Sequence, residues 1–478
     1  MSHRASILGR GYADGHLDSP RVRFRRALTL GVLTIVVPGS AQIAVGRKAI
    51  GWLALLTWLA ALVGGGYALH TYRADRAEVL GWFTNPDVLV MVRAAMVVAV
   101  VLWVALFVDA WRLASPFRLT FSRAVIVTVL NLAIIAGVAG STAYASQLIK
   151  VSRDTVTQVF HETKVSEPLK GRYNILLVGS DARADRTGAR PDSLTVASID
   201  TDTGKVVLVS LPRNLQNVPF SAGSPMRTLY PNGYNCGSEC LLNAVDVTAS
   251  GRPDLYPNSK NPGLDATIEA VQGVTDLKVN YYVMVNLNGF KGLVDAVGGV
   301  RMNVKTRIAM FGHDDAYKNV YIEPGDQKLN GQKALWYARS RVQSDDYTRM
   351  GRQKCLMAAM VDQLSPTKVL TNATKIAKSG KELLSTNIPA RELGLFADLA
   401  LRSRGEKIHT VSIVPPQFDT VTPDFPAIQA AVQKAINTSE KMPSTTATAP
   451  KKSATPTAPE KDSSGREANT TDDLNAAC

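Results

Sequence analysis

Aspartates and arginines recur at the ends of the short apolar runs in the C-terminal part of the chain. Asp181 and Arg183 follow Tyr173–Gly179 in Gly-Ser-Asp-Ala-Arg, and Arg190 and Asp192 precede Leu194–Ile199 in Arg-Pro-Asp-Ser. Arg213 follows Val206–Leu211 in Leu-Pro-Arg-Asn, and Arg339 and Arg341 stand in Tyr-Ala-Arg-Ser-Arg ahead of Asp345, Asp346, Arg349 and Arg352. Guanidinium groups meet the oxygens of an anion such as a pyrophosphate bidentately and with fixed geometry. A hard cation such as Mg²⁺ takes one or two carboxylates and fills its shell with phosphate oxygens and water. Asp181 and Asp192 end and begin neighbouring elements, within reach of one ion. Catalysis by such a set is charge stabilisation plus placement of an acceptor hydroxyl. Any one of these residues alone reads as a solvated surface charge. Their recurrence at successive strand ends indicates a site for an anionic ligand.

The elements that must position them are legible in outline. Tyr173–Gly179 is a short apolar run ending in glycine, as in a buried strand. Leu194–Ile199 and Val206–Leu211 flank Asp200-Thr201-Asp202-Thr203-Gly204, a strand–turn–strand pattern. Pro262–Val274, Gly289–Val297, Asn330–Tyr337 and Met350–Leu364 have helical spacing, whereas Asn280–Val285, Val300–Val304 and Thr410–Ile413 read as strands. This alternation predicts a layered α/β domain over residues 170–436, after a polar stem at 149–169. Residues 437–478 are rich in Ser, Thr, Pro, Ala, Lys and Glu and are expected to be a disordered polar tail.

The first 148 residues are of another kind. Ala27–Val45, Ala49–Leu69, Val88–Trp111 and Ala124–Leu148 are apolar, and about 20 such residues span a bilayer core as a helix. The last three qualify as spans; the first is interrupted by Pro38-Gly39-Ser40-Ala41-Gln42. Arginines at 21, 23, 25 and 26, the pair Arg47–Lys48, and Arg112, Arg118 and Arg123 mark cytoplasmic segments. These assignments agree if residues 1–26 are a basic cytoplasmic N-terminus and 27–45 enters and leaves on one side. Spans at about 49–69, 88–111 and 124–148 then carry the rest of a multi-pass protein outside the cell. The net charge of +14 suits a membrane flank and an anionic substrate. No nucleic-acid-binding motif is present, and the basic residues are spread along the chain.

There are four cysteines. Cys236 and Cys240, in Cys-Gly-Ser-Glu-Cys, are either two free thiols or, in an oxidising exterior, a local disulfide. Zinc would need further ligands nearby, and none are adjacent.

Several segments, in order over residues 170–370, resemble the LytR-CpsA-Psr family. They are Asn-Ile-Leu-Leu-Val-Gly-Ser-Asp-Ala-Arg, Arg-Pro-Asp-Ser-Leu, Val-Ser-Leu-Pro-Arg, Gly-Phe-Lys-Gly-Leu-Val-Asp-Ala-Val-Gly-Gly-Val and Ala-Leu-Trp-Tyr-Ala-Arg-Ser-Arg followed by Asp-Tyr-Thr-Arg-Met-Gly-Arg-Gln. The resemblance implies an α-β-α domain with a mixed sheet and a phosphotransferase outside the cell membrane. Such an enzyme moves a glycopolymer from a polyprenyl-pyrophosphate carrier to peptidoglycan. It further implies Asp181 and Asp192 as carboxylates for Mg²⁺ or Mn²⁺, and Arg190, Arg213, Arg339, Arg341 and Arg349 as pyrophosphate ligands. Arg183 and Arg352 match motif positions with the same ligand, and Asp346 is a base or orienting group near the acceptor hydroxyl. Tyr281–Val285 and Leu356–Leu364 are candidates to line a groove for the lipid tail, or else are core. The family usually has Pro-Arg-Asp where this chain has Pro-Arg-Asn, with Asn214 after Arg213. The insert bearing Cys236 and Cys240 is similar to actinobacterial members.

Overall fold

The structure, a computed structural model, describes residues 20–83, 85–160, 164–180, 191–311, 320–342, 344–363, 384–404, 406–442, 469, 471 and 473–478. The chain divides into two compact units, Met1–Asp154 and Thr155–Cys478.

The first unit is helical: α1 (Pro20–Val36), α2 (Ser40–Ala44), α3 (Lys48–Ala74), α4 (Arg76–Trp82), α5 (Pro86–Leu113) and α6 (Phe121–Val159). Among the described residues three helical stretches are long and apolar enough to cross a membrane, Lys48–Ala74, Pro86–Arg118 and Phe121–Val151. α1 stops before Pro38, which disfavours helix at the residue ahead of it. Gly39 then turns the chain with φ 94°, and α2 folds back onto α3. A Cβ on Gly39 would lie 2.2 Å from the Gly51 carbonyl oxygen, so the two backbones meet where only glycine fits. Asn85 and Asp75 cap α5 and α4 by accepting from backbone amides of the first turn. α6 runs beyond residue 148 into the segment read as a stem, because no Gly or Pro breaks the pattern between Lys150 and Val159.

The second unit is an α/β domain on a six-stranded mixed sheet. Its strands, in chain order, are β1 (Arg172–Ser180), β2 (Pro191–Asp200), β3 (Val206–Leu211), β4 (Tyr281–Asn286), β5 (Val300–Val304), β6 (Ile308–Ala309), β7 (Tyr321–Ile322), β8 (Gly325–Leu329), β9 (Leu384–Thr386) and β10 (His409–Ser412). The main sheet has the order β10-β3-β2-β1-β4-β9, while β5–β8 and β6–β7 form separate ribbons. β1 pairs with β4 and β10 with β3 in parallel; the other main-sheet neighbours are antiparallel.

Helices cover both faces: α7 (Pro225–Leu229), α8 (Val245–Ser250), α9 (Pro262–Thr275), α10 (Leu287–Ala296), α11 (Gly331–Arg339), α12 (Asp346–Gln363), α13 (Leu393–Arg402), α14 (Phe425–Lys441) and α15 (Leu474–Ala477). Val207, Val209 and Leu211 of β3 pack with Val271 and Val274 of α9 and with Val432 of α14. Val206 and Leu208, pointing the other way, join a core with Val294, Tyr337 and Leu356. Burial on both faces is why β3 reads as an unbroken apolar run.

The C-terminal segment differs from the expected disordered tail. α14 continues to Lys441, and the described residues at the end of the chain pack against the domain. Leu474 is fully buried, and Cys478 is disulfide-bonded to Cys355 of α12. One apolar anchor and one covalent tie order the end of a segment whose average composition does not indicate order. Cys236 and Cys240 are also bonded to each other.

Candidate active site

The β2–β3 register builds the first half of the site. Leu194 pairs with Leu211, so in this antiparallel ladder Asp192 stands opposite Arg213. Arg213 Nη1 donates to Asp192 Oδ1 at 3.1 Å. The second half comes from the α11–α12 junction. Asp345 caps α12 by accepting from the Thr348 amide and hydroxyl at 2.7 and 2.6 Å, which sets Asp346 and Arg349 in the first turn.

Asp346 is the hub. Its Oδ2 accepts from Arg349 Nη2 at 2.9 Å and lies 3.4 Å from Arg213 Nε, while its Oδ1 lies 3.2 Å from Arg341 Nε. Arg341 Nη2 is also 4.0 Å from Asp192 Oδ1, and Arg349 Nη1 donates to the Asp192 carbonyl at 3.1 Å. Arg349 is buried, with its side chain 4% exposed, whereas those of Arg213 and Arg341 are 30% and 40% exposed. The cluster is therefore buried at one guanidinium and open at the other two.

Burial alone would raise the Asp346 carboxyl, but Arg349, Arg213 and Arg341 together hold it below the ordinary carboxylate range. A carboxylate held that way is a weak base and a strong anchor. Burial and the neighbouring Arg349 push the Arg341 guanidinium down from its usual value. Crowded cations at the N-terminus of a long helix form a setting that favours an incoming anion. Beneath them lies a recess of about 10 Å³ lined by Ser193, Thr195, Ser210 and Gln353 among others, large enough for one water. Ser193 donates to Gln353 Oε1 at 3.0 Å. These residues carry no charge that would mark them in the sequence, although Ser193, Ser210 and Gln353 lie inside the family-like segments.

The other candidates fall elsewhere. Asp181, Arg183 and Arg190 lie outside the described residues. The Arg339 guanidinium sits 5.2 Å from the centroid of the Trp336 ring, on an exposed side chain. Arg352 is buried and donates to the carbonyls of Tyr337, at 2.9 Å from Nε, and Ser340. Burial lowers it to about 10. Nη1 and Nη2 also lie 3.4 and 3.3 Å from the Ser344 hydroxyl, so Arg352 braces the turn that carries Arg341. Leu356 is core, packed with Tyr337 and Val294. Among the described residues, Asn214 keeps its Oδ1 buried without a hydrogen-bond partner.

Among the described residues no group of three or more His, Cys, Asp or Glu could hold a metal ion. Asp192 suits a hard cation that draws most of its shell from phosphate and water, since such an ion needs only one or two carboxylates.

The sheet and its covering helices define a mixed α/β domain that carries an arginine-ringed carboxylate, and the sequence assigns its family. The LytR_cpsA_psr family matches residues 138–441, well over half of the chain, and the chain belongs to that family. It is 33% identical over 119 residues to the polyisoprenyl-teichoic acid–peptidoglycan teichoic acid transferase TagV of Bacillus subtilis (strain 168), covering 24% of this chain and 30% of that protein. It is 24% identical over 242 residues to the regulatory protein MsrR of Staphylococcus aureus (strain COL), covering 50% of this chain and 62% of that protein. The chain thus spans less than two thirds of the length of each of these curated relatives. The crystal structure of B. subtilis TagV is similar over 57% of this chain and 100% of its own, with 25% identity and a TM-score of 0.41.

Proposed function

We propose that this protein is a phosphotransferase of cell-wall assembly, moving a glycopolymer from a polyprenyl-pyrophosphate carrier to peptidoglycan on the outer side of the cell membrane. The observation that carries this reading is the set of three guanidinium groups of Arg213, Arg341 and Arg349 converging on the Asp346 carboxylate. In the resting state Asp346, with Asp192 beside it, offsets part of their charge and orients them. A pyrophosphate entering from the open side takes over their free N–H groups in bidentate contacts. The acceptor hydroxyl attacks the phosphorus next to the glycan, the bond from that phosphorus to the bridging oxygen breaks, and polyprenyl monophosphate leaves with the bridging oxygen. The proton of the hydroxyl passes to the departing phosphate, and a phosphodiester joins the two polymers. Arg213 and Arg341 spread the charge that builds on the leaving oxygen. Mg²⁺ or Mn²⁺, held by Asp192 and Asp181, would add charge neutralisation on the phosphates.

Membership of the family and the match to a transferase named for teichoic acid support the reaction class. Three membrane-length helices support an anchor in the lipid bilayer, and two disulfides support an oxidising exterior. A second reading, a wall-polymer-binding regulator without turnover, draws on Asn214 and on the regulatory name of MsrR. The full chain in detergent, incubated with Mg²⁺, a short lipid-pyrophosphate glycan and peptidoglycan fragments, decides between them. Release of polyprenyl monophosphate with a phosphodiester product is expected. Binding without product supports the regulator, and release of polyprenyl pyrophosphate rejects the phosphodiester chemistry.

A further inference from the structure

Between α3 and α5, within the membrane-length helices, lies a cavity of about 920 Å³. Small residues make the room: Ala54 and Ala61 line it from α3, and Ala95 and Ala99 from α5. Trp58 and Leu102 complete an apolar wall. The lining on α3 runs from Ile50 to Ala61, about 17 Å along the axis, close to the depth of one leaflet of a ~30 Å hydrocarbon core. The helix break at Pro38 bounds the cavity on another side. The α1–α2 segment is tied to α5, with Gln42 Nε2 donating to the Leu106 carbonyl at 3.1 Å and Trp103 Nε1 donating to the Thr34 carbonyl at 3.3 Å.

The cavity is polar at one end only, where Asp109 and Arg112 line it. Asp109 is already engaged by an ion pair with Arg47, and among the described residues Arg112 has no ion-pair partner, so it presents a positive charge to the mouth. The same end gathers further cations. Arg23 Nη1 donates to the Arg118 carbonyl at 3.1 Å, and the Arg123 guanidinium sits over the Phe24 ring. Basic pockets between membrane helices hold anionic lipid headgroups.

From this pairing of a leaflet-deep apolar slot with a cationic rim, we propose that the α3–α5 cavity is a binding site for an anionic phospholipid. Its acyl chains fill the slot and its phosphate meets Arg112 beside Arg47. The site is separate from the phosphotransferase reading and stands or falls without it.

The test uses the full chain in detergent, with an equimolar mixture of phosphatidylglycerol and phosphatidylcholine, read by native mass spectrometry. Phosphatidylglycerol is expected to be retained preferentially. Arg112→Gln is expected to cost about fivefold of that preference, the worth of one arginine near a charged surface. Ala99→Phe, which fills the slot, is expected to remove the lipid adduct while thermal stability is kept. Equal retention of the two lipids overturns the proposal. So does a preference indifferent to both substitutions, or a dimer in place of the adduct, which would mean that a helix of a second copy occupies the slot.

Discussion

Arg349 donates from Nη2 to Asp346 Oδ2 at 2.9 Å, one turn away on the same helix, and its guanidinium is almost wholly buried while the carboxylate stays partly open. The pair is thus a fixed floor on which the more exposed Arg213 and Arg341 converge.

Asp346→Asn removes the one carboxylate that contacts all three guanidinium groups, leaving Asp192 beside Arg213 and Arg341. Stability is expected to fall by about 1–3 kcal/mol, below the ~3–5 kcal/mol for a fully buried pair because this carboxylate is partly exposed. Urea unfolding measures the loss, and inorganic pyrophosphate is expected to restore more stability to the variant than to the parent chain.

Arg341→Ala is expected to weaken lipid-pyrophosphate binding by about 1.5–3 kcal/mol, the worth of a charge-assisted hydrogen bond. Titration calorimetry with the full chain reads it. Unchanged affinity would exclude Arg341 from the ligand site.

Arg352→Ala should behave differently. Its donors serve the Tyr337 and Ser340 carbonyls, so the variant is expected to lose stability by about 1–3 kcal/mol per orphaned buried acceptor. Pyrophosphate affinity, corrected for folded fraction, should change less than in Arg341→Ala.

The two disulfides close very different loops, with sequence separations of 4 for Cys236–Cys240 and 123 for Cys355–Cys478. Loop-closure entropy makes the long one worth more, about 4–5 kcal/mol at most and typically ~2–4. Cys478→Ser is therefore expected to lower the melting temperature of the full chain more than Cys240→Ser does, as differential scanning fluorimetry can show.

Lys354 is fully buried, and its ammonium donates to the Ser412 hydroxyl. Burial lowers it from 10.5 to about 7. Between those values the unfolded chain binds the proton and the folded one does not, so stability rises with pH across about 7 to 10.5. Below about 7 both states are charged and the full burial penalty remains. Lys354→Met is expected to flatten this slope and to gain most at the acid end, as melting temperature against pH will show.

Much of the fold was legible because its signals are local. β3 spans Val206–Leu211 as its apolar run predicts, and β5 likewise spans Val300–Val304. α9 begins at Pro262, as the helical spacing indicates. β9 at Leu384–Thr386 and the β6–β7 ribbon escaped notice because such short strands carry almost no periodicity. Of the candidate site, Asp192, Arg213, Arg341, Asp346 and Arg349 come together, while Arg352 bonds the Tyr337 and Ser340 carbonyls and Arg339 lies against the Trp336 ring. An arginine looks the same in sequence whether it meets a ligand, a backbone carbonyl or a tryptophan ring.

The sequence by itself determined that this protein has three membrane-length apolar segments, a layered α/β domain and a recurring set of arginines and aspartates with family character. Hydrophobic period, turn chemistry and residue type are written over a few neighbouring positions. Only the tertiary structure decided that Asp346 binds three arginines at once, that Arg352 braces a turn, and that Cys478 returns to Cys355 across 123 residues. Those outcomes depend on burial and on partners distant in the chain, which the β2–β3 register and the docking of α12 create together.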